Sequence, residues 1–179
     1  LMGRTTVGGD RATVLAEVRA FLAEQHGIEV VATLGFENAY AVAARTADAE
    51  TMGWTRISDL VPLGPTLSMG GDFEFFSRPE WTSIRDTYGL TLSNQGTMDA
   101  DLMYEAIAEG AVDLISAYTT DGRISAYDLR VLEDDRGAIP PYDAVVLVGA
   151  RLVRDWPDVL AALRQLDGAI DAETMRTMN

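Results

Sequence analysis

A short apolar run that stops on polar side chains constrains this chain more than any other stretch. Ala111-Val112-Asp113-Leu114-Ile115-Ser116 has the length and composition of a buried strand. It runs into Ala117-Tyr118-Thr119-Thr120-Asp121-Gly122-Arg123-Ile124, where an aromatic ring, two hydroxyls and a carboxylate follow one another before Asp121-Gly122 turns the chain. A strand that ends in such side chains is placed to present them to a cleft. The pattern reads as one wall of a pocket for a small cationic molecule, with Tyr118 as the ring, and as binding rather than catalysis.

The segments on either side alternate between strand and helix. Residues 10–26 read as a helix, with Asp10 as N-cap, Val14, Leu15, Val18, Phe21 and Leu22 at helical spacing, and His26-Gly27 as its end. Strands are expected at Ile28–Leu34, Ala39–Ala44, Thr66–Gly70, Leu90–Leu92, Leu129–Leu132 and Ala144–Val148. Helices are expected at Pro79–Tyr88, Asp99–Glu109, Pro157–Leu166 and Ala172–Met178, with helical turns near Asp48–Met52 and Ile57–Leu60. Such alternation predicts an α/β fold with a mostly parallel sheet. After Gly70-Gly71, a helical start at Asp72-Phe73-Glu74 is either a plain turn or a set of free backbone N–H groups for an anion. Glu133-Asp134-Asp135 lacks the alternating ligands of a calcium loop and reads as a solvated turn.

Composition removes several classes of function. A net charge of -14 argues against nucleic acid, which needs basic patches. All 14 basic residues are Arg, so no lysine can form a Schiff base. Without cysteine there is no disulfide and no thiolate chemistry. The one histidine, His26, sits where a helix C-terminus favours it, so a Ser-His-Asp triad has no natural centre. No apolar run of about 18 residues offers a membrane span. Leu1-Met2-Gly3-Arg4 does not open a secretory signal. A length of 179 residues suits one large domain or two small lobes.

Several motifs, in order and at matching spacing from about residue 28 onward, resemble the substrate-binding proteins of ABC importers for glycine betaine, choline and related quaternary ammonium compounds. They are Gly35-Phe36-Glu37-Asn38-Ala39-Tyr40, Glu74-Phe75-Phe76-Ser77-Arg78, Asp101-Leu102-Met103-Tyr104-Glu105-Ala106, the stretch 117–124 quoted above, Tyr127-Asp128-Leu129, Val131-Leu132-Glu133-Asp134-Asp135 and Pro140-Pro141-Tyr142-Asp143-Ala144. The resemblance implies a type II periplasmic-binding-protein fold with the ligand between two α/β lobes. One contiguous lobe would span 36–139, and 1–35 and 140–179 would belong to the other. Members of the family are longer at the N-terminus, so the resemblance implies one complete lobe plus part of the second. It also raises self-association as a way to cover exposed apolar surface.

By family position, Tyr40, Tyr118 and Tyr142 would be the rings of a cage. A quaternary ammonium group has no N–H to donate, so aromatic faces hold it instead. Asn38 would turn its oxygen toward the methyl groups, and Thr119 would add a hydroxyl. Arg78 falls where the family places an arginine for the ligand carboxylate; a structural ion pair is the alternative. Asp121 either meets the cation or caps the following helix. Tyr88, Tyr104, Tyr127, Trp54, Trp81 and Trp156 are assigned to packing. No cofactor or metal is implied. The implied partner is a membrane permease at the periplasmic or extracellular face, with the binding domain lipid-anchored or fused to it. A ligand-sensing domain of a regulator and an enzyme using carboxylates such as Glu133 and Asp135 are the competing classes. Neither has a supporting motif. Glycine betaine, choline, carnitine, proline betaine and ergothioneine share the cationic head and are not separated by the sequence.

Overall fold

The structure is a computed structural model, and it describes residues 10–179. Two sheets are present in this range. Helix α1 (Arg11–His26) leads into β1 (Ile28–Glu37), and β1 pairs antiparallel with β7 (Asp143–Gly149). Asp10 caps α1 by accepting from the Thr13 amide at 3.0 Å. Gly27 ends the helix in the left-handed region at φ 62°, as a C-cap glycine does.

The chain then crosses to a second sheet through only two residues, Asn38 and Ala39. Here β2 (Tyr40–Arg45), β3 (Ser68–Gly71), β4 (Asn94–Thr97), β5 (Leu114–Tyr118) and β6 (Leu129–Val131) lie in the order β4-β3-β5-β2-β6. The pairs β3–β4 and β3–β5 are parallel, whereas β2 runs antiparallel to both β5 and β6. The expected mostly parallel sheet therefore has one reversed strand. The reversed strand is the one that enters directly from β1; the parallel strands are reached through crossover helices.

Two apolar clusters cover the two faces of this sheet. Val42 and Ala44 of β2 join Trp54, Ile57, Phe75, Trp81 and Ile84 on one side. Ala43 joins Met103, Tyr104, Ile107 and Ile115 on the other. Burial on both faces explains why the strands read as continuous apolar runs rather than alternating ones. The helices α2 (Thr46–Met52), α3 (Pro79–Tyr88), α4 (Ala100–Ala108) and α5 (Arg123–Ala126) connect the strands. After β7 come α6 (Ala150–Asp155), α7 (Pro157–Arg164) and α8 (Ala172–Met178); α6 has no counterpart among the expected elements.

Two local expectations fail. Leu90-Thr91-Leu92 is not a strand. Leu90 is a buried core anchor, and pairing begins only after Ser93, whose amide reaches the Leu67 carbonyl at 2.8 Å. Trp156 does not pack inside: it is 57% exposed at the end of α6, while Trp54 and Trp81 are buried.

Candidate functional site

The register of β2 against β5 builds the centre of the site. Tyr40 lies directly opposite Tyr118 in the antiparallel pair. Opposed residues in such a pair project to the same face, so the two rings meet. Their centroids are 4.7 Å apart with an interplanar angle of 33°. Tyr118 donates its hydroxyl proton to the Tyr40 oxygen at 2.9 Å, and Tyr40 donates onward to Asp72 at 3.4 Å. Tyr40 is buried beneath; Tyr118 is 39% exposed and forms the open surface of the stack. Burial, with the bonds to Tyr118 and Asp72, pushes the Tyr40 hydroxyl above its usual range, so it stays a neutral phenol.

Asp72 explains the turn after Gly70-Gly71. Its Oδ1 accepts from the amides of Glu74 and Phe75, both at 2.9 Å. The backbone donors that could have met an anion are thus held by a side chain of the chain itself. Gly71 is required for packing, because a Cβ there would come within 2.8 Å of the Phe76 ring.

Arg78 and Tyr142 join this centre through Glu80. The Arg78 guanidinium lies 5.4 Å from the Tyr40 centroid. It pairs with Glu74 at 3.0 Å and faces Glu80 at 3.5 Å. Glu80, in the first turn of α3, is only 5% exposed and accepts the Tyr142 hydroxyl. Burial would raise the Glu80 carboxyl, but the bond from Tyr142 and the Arg78 charge outweigh it and hold the carboxyl below its usual range. Burial and the same carboxylate raise the Tyr142 hydroxyl. Tyr142 is 38% exposed, like Tyr118. The structure therefore brings Tyr40, Tyr118, Arg78 and Tyr142 into one linked cluster, and Arg78 is in an ion pair within it.

Asn38 and Thr119 occupy the crossing itself. The Thr119 hydroxyl donates to the Glu37 carbonyl at 2.5 Å and accepts from the Ala39 amide at 3.1 Å. The Asn38 amide donates to the Tyr142 carbonyl at 3.2 Å, and its side-chain oxygen accepts from Thr120 at 2.9 Å. Both residues pin together the strands that pass between the sheets. The crossing is flanked by a cavity of about 620 Å³ lined by Tyr40 and Thr119 and one of about 850 Å³ lined by Asn38 and Tyr118. Asp121 accepts from the Arg123 amide at 2.9 Å and so holds the start of α5.

Residues 5–179 match the family described as the substrate binding domain of ABC-type glycine betaine transport systems, OpuAC. The chain belongs to this family. An ergothioneine transport permease/ergothioneine binding protein from Helicobacter pylori is 31% identical over 150 residues, 83% of this chain and 27% of that protein. A glycine-betaine-binding protein from Pseudomonas aeruginosa is 32% identical over 170 residues, 88% of this chain and 55% of that protein. A carnitine transport binding protein from Listeria monocytogenes is 27% identical over 95% of this chain and 56% of its own length. The chain thus spans about half the length, or less, of these relatives. The crystal structure of a glycine betaine/carnitine/choline ABC transporter protein superposes with a TM-score of 0.92 at 26% identity, covering 98% of this chain and 65% of that one.

Glu80 and Asp72 are members of the cluster that sequence reasoning missed. The Arg78-Pro79-Glu80 spacing was a usable signal for the first: proline at the first helical position starts α3 and fixes Glu80 one residue on, near the arginine. For Asp72 the signal was its position two and three residues before unpaired amides at a helical start. Among the described residues no group of His, Asp and Glu side chains is arranged to hold a metal ion, and no helix is long and apolar enough to cross a membrane.

Proposed function

We propose that this domain captures a quaternary ammonium compound in a tyrosine cage made by Tyr40, Tyr118 and Tyr142 and delivers it to the membrane permease of an ABC importer. The observation that carries this reading is the stacked Tyr40–Tyr118 pair, set by strand register and linked through Arg78 and Glu80 to the exposed Tyr142 ring. Faces of neutral phenols attract a cation that cannot donate hydrogen bonds, each worth roughly 0.5–2 kcal/mol depending on desolvation. The relatives' names, ergothioneine, carnitine and glycine betaine, share a trimethylammonium head and support this ligand class. Asn38 and Thr119 then serve the site by holding the crossing at its base. The domain acts by binding and release, without chemistry, at the periplasmic or extracellular face of the membrane. The boundaries proposed for the contiguous lobe are residues 36–139, with the ligand held between it and the other lobe, which supplies Tyr142.

Titration calorimetry with glycine betaine and with choline tests the reading. Binding of either, weakened in Tyr118→Ala and in Tyr142→Ala, supports it. Unchanged affinity in both variants would remove these rings from the site. Self-association has one support: Leu147, Trp156 and Val159 are exposed around the two-stranded sheet. Light scattering over a concentration series decides it.

A further inference from the structure

Glu80 is a buried carboxylate whose two oxygens serve different elements. One accepts the Tyr142 hydroxyl, from the chain just before β7. The other faces Arg78 Nε at 3.5 Å, and neither of these two buried atoms has a hydrogen-bond partner. Arg78 also pairs with Glu74 and covers Tyr40. Asp72 closes the tyrosine chain from below. One guanidinium thus faces two carboxylates, Glu74 and Glu80, beside the rings.

We propose that Glu80 is the positioning and specificity-determining residue of the tyrosine cage: it fixes the Tyr142 ring, offsets the charge of Arg78, and so favours a quaternary ammonium cation without a carboxylate over one that carries a carboxylate. The proposal rests on the cage reading above. A ligand carboxylate approaching Arg78 must compete with two carboxylates already there. The Glu74 contact is exposed and yields at little cost. The Glu80 contact does not, because separating it leaves a buried charge uncompensated. A bare cation enters beside the rings without disturbing either pair, and the surplus acidic charge attracts it.

Calorimetry on the full chain at fixed salt and neutral pH, with choline chloride and glycine betaine as probes, tests this in the wild type, Glu80→Gln and Tyr142→Phe. Wild-type protein is expected to bind choline about tenfold or more tightly than glycine betaine. Glu80→Gln keeps an acceptor for the Tyr142 hydroxyl but removes the charge, so the ratio moves toward glycine betaine by about tenfold. Tyr142→Phe leaves the charge pair intact and weakens both ligands by about threefold or more with the ratio unchanged. A structural role alone would lower stability without moving the ratio. Tighter binding of glycine betaine by the wild type, or a Glu80→Gln ratio within about twofold of wild type, overturns the proposal and leaves the cage standing. If the wild type binds neither probe, the cage reading fails and this proposal falls with it. Should thermal melting show that Glu80→Gln does not fold, the wild-type ratio and Tyr142→Phe decide.

Discussion

The two sheets are built to different standards of burial. In the five-stranded sheet, every residue of β2 except its last is buried, and Leu114 to Ala117 of β5 are buried in sequence. In the two-stranded sheet only Ala32 of β1 and Val148 of β7 are buried, and the helices α1 and α7 each add a single buried leucine, Leu22 and Leu160. Tyr40 and Tyr118 stand on the first sheet, and Tyr142 comes from the seam just before β7. Two rings thus rise from a close-packed core, whereas the third hangs on the Glu80 bond to its hydroxyl and on backbone bonds of Tyr142 to Asn38 and Glu37.

The largest expected effect breaks or keeps that contrast directly. Ile115→Ala, fully buried in β5, is expected to cost about 2–5 kcal/mol in denaturant unfolding. Val146→Ala, half-buried in β7, should cost less than about 1.5 kcal/mol. Equal costs would erase the distinction between the sheets. Next comes Gly35→Ala, at φ 109°, where a Cβ would meet the Ile170 carbonyl at 2.8 Å. It should loosen the seam by about 1–3 kcal/mol and speed hydrogen exchange in β1 while leaving β5 protected. Exchange that rises equally in both strands would mean that the sheets open as one unit.

Smaller effects test the site. Tyr118→Ala is expected to weaken cation binding by about 0.5–2 kcal/mol, measured by calorimetry, whereas Tyr127→Phe should leave it unchanged. Tyr127 packs on Tyr104 at 5.9 Å between centroids, away from the stacked pair. Arg176→Ala removes the bond from the guanidinium to the Thr119 carbonyl at 2.7 Å and should cost about 0.5–1.5 kcal/mol of stability. The smallest shift is expected for Glu74→Gln, an exposed pair with Arg78, at about 0–1 kcal/mol and falling with added salt.

Legibility in the sequence followed the same contrast. The buried strands β2 and β5, the helix end at Gly27 and the N-cap Asp10 were readable because each depends on a local signal of apolar run or capping. The reversal of β2 was not, since strand direction is set by which crossings the chain makes and leaves no local mark. The missed α6 is a two-turn helix exposed along most of its length, without a clear apolar stripe. In the site, a motif pattern pointed to Tyr40, Tyr118 and Tyr142. What it could not supply was pairing. The register that stacks Tyr40 on Tyr118, and the partners that Asp72, Glu80 and Thr119 find across long sequence separations, arise only when distant segments meet.

The clasp at Thr119 carries one further consequence. A single hydroxyl touches the backbone on both sides of Asn38, at Glu37 and at Ala39, at the point where the chain leaves one sheet for the other. Stretches far apart in sequence, 37–39 and 119, are thereby joined at one oxygen, so the crossing and the end of β5 are expected to hold or fray together rather than separately.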